Sequence, residues 1–240
     1  MHTPSLPATP GRPVASPRRA IHRSPLYIAP HEGEFLCDVD VLFDEHGHVY
    51  YADERPEDRD IDGILWERWG GVPSGPVAMA HHHPARQREV MDAGPKCGIC
   101  GGEPDRDERG VLWLLHVDAD TRATLTFPGD ITTATPAVCR TDAFHALQAC
   151  EVLQEGFIAV RVQEAEVVGV RGTVYSATEP PLLEQVVRLD DDAINRVVAR
   201  QLMRQLRDAE LDETTLATAG RRTRTRSGGA TLDVPGPTWG

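Results

Sequence analysis

Cys97-Gly98-Ile99-Cys100 constrains this chain more than any other stretch. Two cysteines three positions apart on a glycine-containing turn can direct both sulfurs at one tetrahedral ion, as in a zinc knuckle. A third cysteine, Cys139, follows downstream. A chain carrying this pattern is expected to build a small metal-held unit, so the segments around it decide the reading.

Ahead of the knuckle, Pro84 suits a first helical position and Ala85 to Ala93 holds good helix formers. Val111-Leu112-Trp113-Leu114-Leu115-His116-Val117 has the apolar run of a buried strand. Ala123 to Phe127 is expected to pair with it and to end at a Pro-Gly turn. Thr141 to Leu153 has helical composition, with Gly156 as its stop. The order is knuckle, strand pair, then Cys139 at the entrance of a helix.

That is the layout of a treble clef, whose second ligand pair comes from the first turn of a helix. Residues i and i+3 on a first turn face one side, and a helix N-terminus favours anionic ligands. The residue three after Cys139 is Asp142, a carboxylate that can ligate zinc. His145 is chemically the better donor but lies six positions on, and serves if Cys139 precedes the helix. The expected site is one structural Zn2+ on Cys97, Cys100 and Cys139, with Asp142 or His145 as the fourth ligand. The competing account is a decayed site, with free thiols and packing in place of the ion. Cys150 reads as a small buried hydrophobe, and Cys37 can join only through tertiary folding.

Away from the site, Phe35 to Leu42 alternates with the period of a half-buried strand. The Glu45-His46-Gly47-His48 turn lets Val49-Tyr50-Tyr51 return as a second strand. His46 and His48 read as turn residues. His81-His82-His83 reads as an exposed helix entry, because three adjacent histidines cannot face one ion on regular structure. Ile64 to Trp69 fits a short helix or strand closed by Gly70-Gly71. Phe157–Val162 and Val167–Tyr175 read as two strands flanking a polar turn. Asp192 is expected to cap a helix through Leu206, with Ile194, Val197, Val198, Leu202 and Leu206 as its apolar face.

The sum is an α+β fold: a small treble-clef-like zinc-binding core with antiparallel strands and two or three helices, between disordered tails. A basic Pro-rich arm spans 1–28, with Arg12, Arg18, Arg19 and Arg23 and no periodicity. A β-hairpin-containing segment spans 29–75 and the zinc-binding α+β domain 76–212. An Arg-containing tail, with Arg221, Arg222, Arg224 and Arg226, spans 213–240.

Composition narrows the functional classes. The net charge of −12 opposes general binding to nucleic acid, though the Arg-rich tails leave a local contact open. No N-terminal apolar region reads as a secretory signal, and no apolar run suits a membrane span. Five cysteines including a C-x2-C pair favour reduced thiols and metal over disulfides, and with them a cytoplasmic location. Lys96 is the only lysine; every other basic side chain of this group is arginine.

The region from about 60 to 210 resembles uncharacterised actinobacterial proteins with two C-x2-C pairs. The residues that carry the resemblance are Cys97, Cys100, Gly110 to Leu115, Pro136, Val138, Cys139 and Phe157 to Val162. Leu65 to Arg68 and His83 to Arg88 are similar as well. The resemblance implies a metal site and a domain extent, and no reaction. The second pair departs from that pattern, with Cys139-Arg140-Thr141-Asp142 in place of C-x2-C.

Two functional readings follow. The first is a non-enzymatic, zinc-stabilised binding protein that engages a protein partner. The alternative is a metal-dependent nuclease of the HNH or endonuclease VII type, with His116 as general base and Asp118 or Asp120 holding a divalent ion. A zinc deaminase is set aside, since no His-x-Glu precedes a Pro-Cys-x-x-Cys here.

Overall fold

The computed structural model describes residues 26–78 and 81–214. The arginines of the N-terminal arm and the Arg221 to Arg226 cluster lie outside the described residues. The N-terminal part holds β1 (Glu34–Leu36), β2 (Val41–Phe43), β3 (Val49–Tyr51), β4 (Leu65–Trp66) and β5 (Trp69–Gly71). Helix α1 (Pro84–Met91) leads to the knuckle, then β6 (Arg106–Asp107), β7 (Gly110–His116), α2 (Ala119–Thr124) and β8 (Gly129–Thr133). Helices α3 (Arg140–Ala149) and α4 (Glu151–Glu155) precede β9 (Phe157–Val162), β10 (Glu164–Val174), β11 (Leu182–Arg188) and β12 (Val197–Leu211). The fold is mixed α+β with antiparallel sheets, and its α-helices number four among the described residues, against the two or three expected.

Strand β12 is the axis of an eight-stranded sheet. One of its edges carries β10 over almost its whole length, and beyond β10 it carries β9 at Arg161 and Val160. Strands β9 and β10 are joined by Gln163 alone and keep one register against β12, with Val160 opposite Leu211 and Glu164 opposite Arg207. They form one long bent strand, not the hairpin that the polar residues between them suggest. Other stretches of β12 pair with β4 and β8.

Between those two partners lies Leu202, and there helix α1 supplies a side chain in place of a strand. Gln87 accepts the Leu202 N–H on Oε1 at 2.9 Å and donates Nε2 to the Leu202 carbonyl at 3.0 Å. Its amide also reaches the Ala134 carbonyl at 3.0 Å. Gln87 is fully buried, so this amide replaces the peptide of a missing neighbour and satisfies groups that burial would otherwise penalise. Arg204, also on β12, donates to the carbonyls of Met91 and Asp92 at the C-terminus of α1, where carbonyls lack partners and a cation is favoured.

The expected helix over 192–206 is instead a short 3-10 turn, Asp192–Arg196, followed by β12. Asp191, not Asp192, caps the turn, accepting from the Ala193 N–H. Ala123 to Phe127 likewise forms no partner strand: its first residues end α2, which Asp118 caps. Strand β7 pairs with β6 and with β9. The expected Phe35-to-Leu42 strand is divided, with β1 pairing β5 and β2 pairing β3.

Strand β7 is buried on both faces. Val111, Trp113 and Leu115 join the main core with Trp66, Ile158, Val160, Leu202 and Leu206. Leu112 and Leu114 face a smaller core with Cys97, Val138, Ala143 and Ala159. Cys97 and Cys139 thus sit on the small-core side of the sheet.

Candidate metal centre

Three backbone devices shape the knuckle. Cys97 N–H bonds the Gly102 carbonyl at 2.7 Å, and Gly101 N–H bonds the Cys97 carbonyl at 2.8 Å. Gly101 has φ +71°, a left-handed conformation that glycine adopts without cost. Tyr27 N–H bonds the Ile99 carbonyl and Gly98 N–H the Ala137 carbonyl, so the knuckle is held between the described N-terminus and the approach to α3. Strand β6 then returns as β7, and Val138 N–H bonds the Leu112 carbonyl at 3.0 Å, which docks the start of α3 on β7.

Helix α3 brings the other two donors. Cys139 is its N-cap, and its sulfur accepts from the Asp142 N–H at 3.4 Å. Asp142 Oδ2 lies 3.3 Å from Cys97 Sγ and 3.1 Å from Cys139 Sγ. Donor atoms of Cys97, Cys100, Cys139 and Asp142 all lie within 4.8 Å of one another. Tetrahedral thiolates about 2.3 Å from an ion sit about 3.8 Å apart. Donors this close can surround one cation after small side-chain adjustments. Cys97 and Asp142 are buried, Cys139 is half-buried and Cys100 is exposed.

The electrostatics match this set. Burial pushes the Cys139 thiol up to about 11 despite its bond from the Asp142 N–H. Desolvation of its sulfur within the cluster, then its hydrogen bond with the Asp142 carboxylate, raises the Cys100 thiol as well, although the residue as a whole is exposed. Burial opposes the charge on Asp142, but hydrogen bonds from Cys100, Cys139 and Cys97 outweigh it and hold the carboxyl below its usual range. The cysteine sulfurs hydrogen-bond to one carboxylate; a cation at their centre would take the place of those hydrogen bonds. The donor set fits a thiophilic divalent ion.

Of the five expected metal residues, four converge. His145 is exposed, one turn beyond Asp142, and outside the group. Cys37 and Cys150 are free thiols away from it. His116 is exposed, and Asp118 accepts the Thr121 N–H at 2.6 Å as the cap of α2. Those residues form no metal-holding group among the described residues. His46 and His48 donate backbone N–H groups to Asp44, as turn residues do. His82 bonds Gln201, while His83 packs on Trp69.

Sequence reasoning missed the charge network behind the site. Arg161 is fully buried and bonds Asp212 at 2.8 Å and Asp105 at 2.5 Å. Asp105 also meets Arg140, next to Cys139, at 3.1 Å. The network ties the knuckle's hairpin, the N-terminus of α3 and the end of β12 together. Its signal was an arginine inside the apolar run Phe157–Val162.

No protein-family model, no curated protein and no solved structure matches this chain. No described helix is long and apolar enough to cross a membrane.

Proposed function

We propose that Cys97, Cys100, Cys139 and Asp142 hold one structural Zn2+ in a treble-clef-like unit, and that the protein works by binding a protein partner rather than by catalysis. The observation that carries the reading is the convergence of four donor atoms within 4.8 Å, from a knuckle and from the first turn of α3. The knuckle, the β6–β7 hairpin and the α3 N-terminus supply the order of parts that a treble clef has. Zinc would join the knuckle to α3 across a core of only six buried residues, too few to hold those segments firmly alone. All four donors are committed to the cluster, which leaves no open position for a reacting water of the catalytic kind. The net charge of −12 favours a partner with a basic protein surface over duplex DNA.

The test is elemental analysis of purified protein beside Cys97→Ser and Asp142→Ala. About one zinc per chain, lost in Cys97→Ser together with thermal stability, is expected. Asp142→Ala should bind zinc at least about tenfold more weakly. Absence of metal, or metal retained equally in both variants, would overturn the assignment.

A further inference from the structure

Three of the four donors in the cysteine cluster are sulfurs, and they differ in access. The donor atoms lie within 4.8 Å of one another. Cys97 is fully buried, Cys139 is half-buried and Cys100 is exposed. An accessible thiol with a second thiol beside it is the arrangement in which an oxidised sulfur condenses to a disulfide. Cys37 and Cys150 lie outside the group.

The backbone picks the pair. Gly101 N–H bonds the Cys97 carbonyl at 2.8 Å and closes a turn over residues 97–101. The ends of a four-residue turn lie within about 7 Å at Cα, and a disulfide spans about 4.4–6.8 Å. Cys97 and Cys100 are such ends, and the Cys100 sulfur hydrogen-bonds to the Cys97 sulfur. Side-chain rotation can bring these two sulfurs to bond length. Cys139 belongs to α3, so a bridge to it would tie two separate segments and keep the small core closed.

We propose that the cluster is a peroxide-responsive switch, in which oxidation joins Cys97 to Cys100 and frees the ion. The proposal rests on the zinc assignment above. The exposed Cys100 thiolate attacks one oxygen of hydrogen peroxide; the O–O bond breaks and hydroxide leaves. The Cys97 thiolate then attacks the sulfenic sulfur of Cys100, the S–S bond forms and a second hydroxide leaves. Two protons from solvent turn the hydroxides into water. The two cysteines lose two electrons and the peroxide gains them, while zinc keeps its charge. Asp142 makes the outcome decisive, because a carboxylate cannot join a disulfide. Only Cys139 and Asp142 remain as donors, two where zinc takes four. Release unties the knuckle from α3 and opens the small core around Leu112, Leu114 and Val138. Asp105 still holds Arg140 and Arg161, so the segments loosen without dismantling the sheet.

Titration of the zinc-loaded full chain with hydrogen peroxide tests the proposal. Freed zinc is read with a colorimetric chelator, and the bridge is mapped by peptide mass. One zinc freed for each Cys97–Cys100 disulfide is expected, and dithiothreitol with added zinc should reverse the change. A chain carrying Cys37→Ser and Cys150→Ser together should behave as the wild type does. Cys100→His keeps a zinc-binding donor and removes the accessible sulfur. It should retain its ion at peroxide doses that empty the wild type. A wild-type chain that keeps its zinc while other thiols oxidise, or a bridge from Cys139, would overturn the switch and leave the zinc assignment standing. A chain purified without zinc would overturn both.

Discussion

His82 is a neutral imidazole held in a half-buried position, where Gln201 Nε2 donates to its Nδ1 at 2.6 Å. Burial, and then the charge of Arg171, lowers it from 6.5 to about 4. The sign of the pH effect follows. Between those two values the unfolded chain binds a proton that the folded chain refuses, so stability falls as the medium is acidified. The contribution of His82 is complete above 6.5 and is lost as pH drops towards about 4. Urea unfolding above pH 7 and near pH 5 should show this loss in the wild type and a smaller one in His82→Gln. Glu34 adds to the same acid sensitivity at lower pH. Its hydrogen bonds from Arg86 pull it down to about 2, so its contribution is lost only as pH falls below the ordinary glutamate range.

Strand β12 shows what an element demands of its neighbours. Gln87 stands where a strand would have paired at Leu202, so its replacement should be felt although no apolar contact is lost. Gln87→Met keeps the volume and removes both partners of Leu202. A cost of about 1–3 kcal/mol for the stranded N–H, with more for the carbonyls, is expected in urea denaturation. The same strand explains where sequence periodicity misled. Its core-facing residues are Val197, Ala199, Leu202, Leu206 and Ala209. An even two-residue alternation breaks because Arg200 is an extra residue opposite the Arg171–Gly172 step. It breaks again at Asp208, whose φ is +47°. The two bulges turn steps of two into steps of three, and Arg204 between Leu202 and Leu206 leaves an apolar spacing of four, a pattern that imitates a helix. Helix α1, β7 and the stop at Gly156 were legible because each carries a local signal: a first-turn proline, a continuous apolar run, a glycine. The grouping of Cys97, Cys100 and Cys139 was legible from local spacing, whereas Asp142 and His145 stood as alternatives and only Asp142 joins the group. The partner of β7 was not legible, since pairing is decided by distant residues. The Arg161 network joins residues far apart in sequence and leaves only one buried charge to see.

At the scale of the whole molecule the apolar core is divided into clusters of unequal size. The largest holds Trp66, Trp113 and inner residues of β12, while a small one on the other face of β7 contains Cys97 and packs against Cys139. If the proposed zinc is held there, its removal by a chelator should therefore loosen one face before the other. Hydrogen exchange is expected to accelerate over 97–105 and 138–150, with β10 and β12 still protected. Uniform loss of protection would mean that the two cores unfold as one unit. The Arg161 network sets a limit on how far the small side can move, because it fastens Asp105 of the knuckle region to Asp212 beyond β12.

The lone lysine takes on a further meaning in this setting. Lys96 immediately precedes Cys97, its side chain is 40% exposed, and it meets Glu89 at 3.4 Å. Because every other basic side chain of its kind is an arginine, acylation, conjugation and amine-directed cross-linking have one side chain to attack. A probe fixed there would stand beside the cysteine cluster and nowhere else along the described surface.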